Sequence, residues 1–144
     1  MQDRPTAIEL LEAAAEFLGR EALDVVEGAV RYKMRVAVNV LRIVARESEL
    51  GDRYLREEAE ELAPLVGEPE PRACGVSELR EEVLRLNRLL AGRIRAGKVD
   101  SGPQRSRVLA TLRRVAVRKL EISNPGYLEA ARRRRAPDAR RDST

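Results

Sequence analysis

The chain has 144 residues, 36% of them charged and only 3% aromatic, with a formal net charge of +4. That length suits one domain with a modest core, and a composition rich in Ala, Val and Leu but poor in aromatics favours helices packed on helices. No apolar run approaches the roughly 18 residues needed to cross a bilayer, the acidic opening MQDRPT is unlike a secretory leader, and a lone cysteine, Cys74, excludes an internal disulfide; a cytoplasmic protein without a membrane partner is expected.

Thr6 and Glu9 form a capping box behind Pro5, and Ile8, Leu11, Ala14, Ala15, Leu18, Ala22, Val25 and Val26 follow at helical spacing. A first helix is predicted from about Ala7, weakened at Gly19 and ended at Gly28, in one or two segments. The second predicted helix, about residues 29–50, contains MRVAVNVLRIVAR, in which nine of the twelve residues from Met34 to Ala45 are apolar. Its polar residues Arg31, Arg35, Asn39, Arg42 and Arg46 recur at spacings of three and four, and at about 100° per residue they share one narrow sector. A helix with so thin a polar stripe has most of its girth to cover, so it is expected to be the buried centre of the fold. The stripe itself has two readings. It is either the solvent edge of that helix or a partner or ligand groove, in which Asn39 hydrogen-bonds an amide and the arginines hold carboxylate or phosphate groups.

Gly51 is expected to stop this helix, and Asp52 to cap a third in which Leu55, Ala59, Leu62 and Val66 make a narrow apolar stripe beside Glu57, Glu58, Glu60 and Glu61. So short a joint predicts a hairpin, and Pro64 is expected to disturb its last turn. Residues 67–76, GEPEPRACGV, read as a loop that makes Cys74 incidental. Ser77 then caps a fourth helix with Leu79, Val83, Leu86, Leu90 and Ile94 facing inward and Gly97 at its end. A fifth, from about Gln104 to Ile122, turns Val108, Leu109, Leu112, Val115, Ala116 and Leu120 inward, and Asn124, Pro125, Gly126 and Tyr127 suit a type II turn that would fold Tyr127 and Leu128 back. The expected fold is all-α: a single-domain bundle of about five helices over residues 1–128, followed by a basic, disordered tail over residues 129–144.

The segments RPTAIELLEAAAEFL, RVAVNVLRIVARESELG, RIRAGKVD and KLEISNPGYL together resemble a family of small bacterial helical proteins of unknown function, over most of residues 4–128. Members are encoded beside aminoglycoside-phosphotransferase-like kinases and near acyl-CoA dehydrogenases. The resemblance implies a non-catalytic accessory subunit of a kinase acting on hydroxyacyl-CoA thioesters, with that kinase as partner. It supplies no catalytic residues, and Val38 and Val40 stand here where alanines are commoner in the family.

The residues agree with a non-enzyme. There is no histidine, no phosphate-cradling GxxxxGK loop and no dinucleotide fingerprint. Glu57 and Glu61, one helical turn apart, suit a solvated acidic face better than a metal site, so no catalytic residue, cofactor or metal is assigned. Charge is unevenly placed: residues 1–82 carry a net −8, residues 83–120 a net +10 and the remainder +2. An acidic third helix against a basic fourth or fifth would satisfy the split internally; a dimer or an anionic partner would satisfy it between molecules. The candidate basic surface is Arg105, Arg107, Arg113, Arg114 and Arg118, which with Arg132 to Arg135 also permits a second class, nucleic-acid binding, although stacking aromatics are missing. Because five short helices leave part of the second helix uncovered, a homodimer or heteromer is expected.

Overall fold

The structure, a computed structural model, describes residues 4–72 and 75–135, so Cys74 and most of the predicted tail lie outside the described residues. All regular elements among these residues are helices, with no strand among them. The chain divides into two compact units, Met1–Gly51 and Asp52–Thr144.

In the first unit, α1 spans Ala7–Phe17 and begins at the expected capping box: Glu9 N–H donates to Thr6 Oγ1 at 3.2 Å, and Thr6 N–H to Glu9 Oε2 at 2.6 Å. The helix then widens into a π-helical segment, Leu18–Ala22, and ends in the short α2, Leu23–Val25. Gly19 lies in that π segment, close to the next helix: a Cβ there would sit 3.5 Å from Val38 Cγ1 and 3.7 Å from Arg42 Nη2. Gly28, with φ +58°, opens α3 in the left-handed region that only glycine enters cheaply.

Helix α3 runs unbroken over Gly28–Val66, 39 residues, so the second and third predicted helices are one and the expected hairpin does not form. A stop at Gly51 would need the left-handed cap, yet its φ is not positive. A glycine in a helix interior costs only about 1 kcal/mol, and the flanking Arg46, Glu47, Glu49, Leu50, Arg53 and Leu55 are good helix formers. Pro64 also stays inside the helix, near enough to its end that one lost donor is tolerated.

The expectation of a buried central helix over residues 29–50 is corrected. Among the described residues of the first unit only Ala15, Val38 and Ala45 are buried, while Val36, Val40 and Val44 are 46%, 50% and 43% exposed. One helix can cover only one face of another, and the side of α3 bearing Val38 and Ala45 is the covered side.

The core lies in the second unit. Ala59, Leu62, Ala63 and Leu65 of α3 pack with Leu79, Val83, Leu86 and Leu90 of α4 (Val76–Arg95), with Val99 of the following turn, and with Val108 of α5 (Gly102–Ser123). Both α3 and α4 end in the same glycine motif. Gly67 (φ +74°) lets Glu68 N–H reach the Ala63 carbonyl at 3.0 Å, and Gly97 (φ +68°) lets Lys98 N–H reach Arg93 O at 3.0 Å. Helix α4 starts two residues earlier than expected, at Val76 behind the cap Gly75 and not at Glu78 behind Ser77, and Ile94 turns outward. On α5 the buried face is Val108, Thr111 and Val115, leaving Leu109 55% exposed where an inward position was predicted.

The predicted type II turn is replaced by a helix start. Asn124 caps α6, Pro125–Arg135, its Oδ1 accepting from Tyr127 N–H at 3.2 Å, and Tyr127 stays exposed instead of folding back. Proline at the first helical position is preorganised for this. Residues 129–135, expected to be disordered, are therefore helical, and the rest of the tail lies outside the described residues. With α1, the π segment and α2 counted as one interrupted helix, five principal helices remain among the described residues.

Candidate functional site

The acidic stretch of α3 lies against the basic end of α5, within the second unit. Residues four apart on a helix share a face, and Glu57 and Glu61 of α3 meet Arg114 and Arg118 of α5, also four apart. Arg118 Nε forms an ion pair with Glu57 Oε2 at 2.9 Å and its Nη2 donates to Glu61 Oε1 at 2.7 Å; Arg114 Nε reaches Glu61 Oε2 at 3.1 Å and its Nη2 reaches Thr111 Oγ1 at 3.0 Å. Glu58, 6% exposed, is the most deeply placed carboxylate of the group, and its Oε1 accepts from Lys119 Nζ at 3.2 Å and Asn87 Nδ2 at 3.0 Å. A carboxylate buried to that degree has to be paired, and here it is paired from both α4 and α5. The charge split in the sequence is thus partly neutralised inside the chain, and Glu57 and Glu61 are arginine ligands rather than a solvated face.

Tyr54 closes one side of this network. Its hydroxyl donates to Glu121 Oε2 at 2.6 Å, and its ring lies under the guanidinium groups of Arg53 (4.9 Å) and Arg118 (6.0 Å). The bond to Glu121, with burial added, holds the Tyr54 phenol above its usual value of 10.0. Burial by itself would favour loss of the Arg118 proton, but the hydrogen bond to Glu61 and the charges of Glu61 and Glu57 outweigh it and raise its pKa. Beside these residues runs a groove of about 310 Å³ lined by Tyr54, Arg113, Arg114, Val117, Arg118 and Glu121. Arg118 Nη1 is buried there without an acceptor among the described residues.

The predicted basic surface therefore divides. Arg114 and Arg118 are committed to α3, whereas Arg105, Arg107 and Arg113 stay exposed and make no ion pair among the described residues. Arg105 and Arg113 flank the exposed Leu109, four residues to either side, so the outer face of α5 is both cationic and apolar.

The polar stripe of α3 does not come together as one site either. Arg31 turns back to the preceding segment, its Nη1 donating to the carbonyls of Leu23 and Val26, the latter at 3.4 Å. Arg42 and Arg46 line a groove of about 440 Å³ with Glu12, Glu16, Arg20 and Glu49. Arg35 and Asn39 are exposed. No group of three or more potential metal ligands occurs among the described residues.

A family model described as a domain of unknown function, DUF6285, matches residues 24–127. The chain belongs to the DUF6285 family. The uncharacterised-family part of the resemblance is thereby shown, although the match starts after α1 and the π segment and stops early in α6. No curated protein and no solved structure matches the chain. The DUF6285 region contains the whole of α3, α4 and α5, hence the complete ion network. Sequence reading missed Tyr54, Asn87 and Thr111 as members of that network. The matching four-residue spacing of Glu57 and Glu61 with Arg114 and Arg118 was a readable signal for the ion pairs, but nothing in the local sequence of Asn87 announces its bond to Glu58.

Proposed function

We propose that this DUF6285 chain is a non-catalytic accessory subunit of a phosphotransferase-type kinase acting on hydroxyacyl-CoA thioesters, able to self-associate or to bind that partner. The observation that carries the reading is the outer face of α5, where Arg105 and Arg113 flank the exposed Leu109 after Arg114, Arg118 and Lys119 have been taken up by α3. An apolar residue flanked by unpaired cations suits an acidic protein surface, or the phosphates of CoA held at the kinase boundary. Arg113 also lines the groove that contains the unsatisfied Nη1 of Arg118. The absence of histidine and of a nucleotide-binding loop supports leaving phosphoryl transfer to the partner.

The test is co-expression with a phosphotransferase-like kinase encoded beside the chain, followed by affinity capture and a kinase assay on hydroxyacyl-CoA. Arg105→Glu with Arg113→Glu should slow association and make it less salt-sensitive without unfolding the chain, since both side chains are exposed. A kinase that neither binds the chain nor changes in rate or stability refutes the reading. Nucleic-acid affinity that falls steeply with salt and is lost in the same variant would put the alternative in its place.

A further inference from the structure

Helix α3 carries, on the side away from Val38 and Ala45, a stripe that complements itself. At about 100° per residue, Lys33, Val36, Val40, Val44 and Glu47 fall within about 40° of one line along the helix, all in the first unit, and the three valines are roughly half exposed. The stripe is symmetric about Val40. Val36 and Val44 stand four residues to either side, and Lys33 and Glu47 stand seven to either side with opposite charge. We infer that two copies of this chain pair through this stripe as antiparallel helices, related by a twofold axis at Val40.

In that arrangement Val40 meets Val40, Val36 of each copy meets Val44 of the other, and Lys33 of each meets Glu47 of the other, so every contact occurs twice, as an isologous interface requires. Ala37 and Ile43, three residues either side of Val40, border the seam and pair in the same way. A parallel pair would instead set Lys33 against Lys33 and Glu47 against Glu47, and like charges oppose association. Charge thus selects both the occupant and the direction. The stiffness of valine favours the same outcome, because a β-branched side chain in a helix has little χ1 freedom left to lose on burial. Glu47 keeps an interaction within its own chain, and the contact with Lys33 of the other copy adds to it. The proposal gives a surface and a direction to the self-association proposed above and does not depend on the kinase-partner reading, since the α5 face is a different surface and the property tested is assembly of this chain alone.

Sedimentation equilibrium on the full-length chain at micromolar concentration should give the dimer mass. Val40→Asp, which sets two carboxylates face to face on the axis, should give the monomer with helical circular dichroism unchanged, because Val40 is 50% exposed in the single chain. Lys33→Glu or Glu47→Lys alone should each weaken the dimer about tenfold or more, equivalent to about 1.4 kcal/mol. The double charge swap should bring affinity back to within a few-fold of the parent. A monomer at about 100 µM, where even a weak assembly of Kd near 10 µM would be mostly dimeric, overturns the proposal. So does a dimer indifferent to Val40→Asp, or a double swap no tighter than the single variants. If Val40→Asp loses helicity, the charge-swap set decides by itself.

Discussion

Replacing Arg118 by methionine is the most direct probe of the network that joins α3 to α5. The guanidinium is 18% exposed and bridges Glu57 at 2.9 Å and Glu61 at 2.7 Å, whose side chains are 36% and 22% exposed. Removing one partner of a fully buried pair costs about 3 to 5 kcal/mol, and an exposed pair is worth about 0 to 1. The burial here lies between those limits. Water can rehydrate both carboxylates, and the variant also releases the unsatisfied Nη1. The expected loss is therefore about 2 kcal/mol, raised slightly because Glu57 and Glu61 become unbridged like charges one turn apart. For a chain of this size that corresponds to a fall in Tm of roughly 4 to 8 °C. Urea and thermal denaturation of Arg118→Met, Glu61→Gln and the double variant form a cycle, and its coupling energy should be about 1 to 2 kcal/mol. That coupling should survive only in part in 1 M salt, where the screening length falls to about 3 Å. A coupling below about 0.3 kcal/mol would refute the argument and leave the cluster as surface charge that contributes nothing to holding α5 on α3.

Other outcomes follow from burial and backbone geometry. Leu86→Ala, at a fully buried site, should cost about 2 to 5 kcal/mol in urea denaturation, while Leu109→Ala, at a site 55% exposed, should stay within about 0.5 kcal/mol. Gly97→Ala puts a side chain at φ +68° and should destabilise by about 1 kcal/mol or more, visible as a lower urea midpoint. Gly51→Ala should be neutral or stabilising by up to about 1 kcal/mol, because Gly51 is helical and its nearest neighbour, Glu47 Oε1 at 3.0 Å, is the end of a flexible side chain. Because the fold favours the protonated phenol of Tyr54, its contribution is complete below pH 10 and disappears as pH rises through the elevated folded value; an alkaline stability titration should show this loss in the parent and not in Tyr54→Phe.

The parts of the fold legible in the sequence were those set by local chemistry. The Thr6–Glu9 box, the loop that starts at Gly67, the glycine end of α4, and the face made by Leu79, Val83, Leu86 and Leu90 all follow from caps, breakers or strict periodicity. The readings that failed needed tertiary information. Gly51 looks like a stop because glycine is common at helix ends, but whether it enters the left-handed region depends on what the next residues pack against, and Leu55 through Leu65 extend the same helix into the core. The valines of residues 36–44 were read as buried because apolar residues usually find cover, yet the packed side of that segment is the one with Val38 and Ala45. The candidate site was half legible. Composition located the opposing charges, and spacing matched them, but which arginines α3 would use and which would stay free depended on the rotation of α5 about its own axis.

The continuity of α3 has a consequence for how the molecule opens. One ladder of hydrogen bonds runs from a stretch holding the half-exposed Val36, Val40 and Val44 to residues with no exposure at all, Ala59, Leu62 and Ala63. Amide exchange along a single helix is then expected to report two opening events. The amides around Val40 can exchange through fraying of the first unit alone, whereas those around Leu62 have to wait until the second unit loses its core. A helix that looks uniform by circular dichroism would in this way carry a step in protection between its two halves, and the height of that step measures how far the stability of one unit exceeds that of the other.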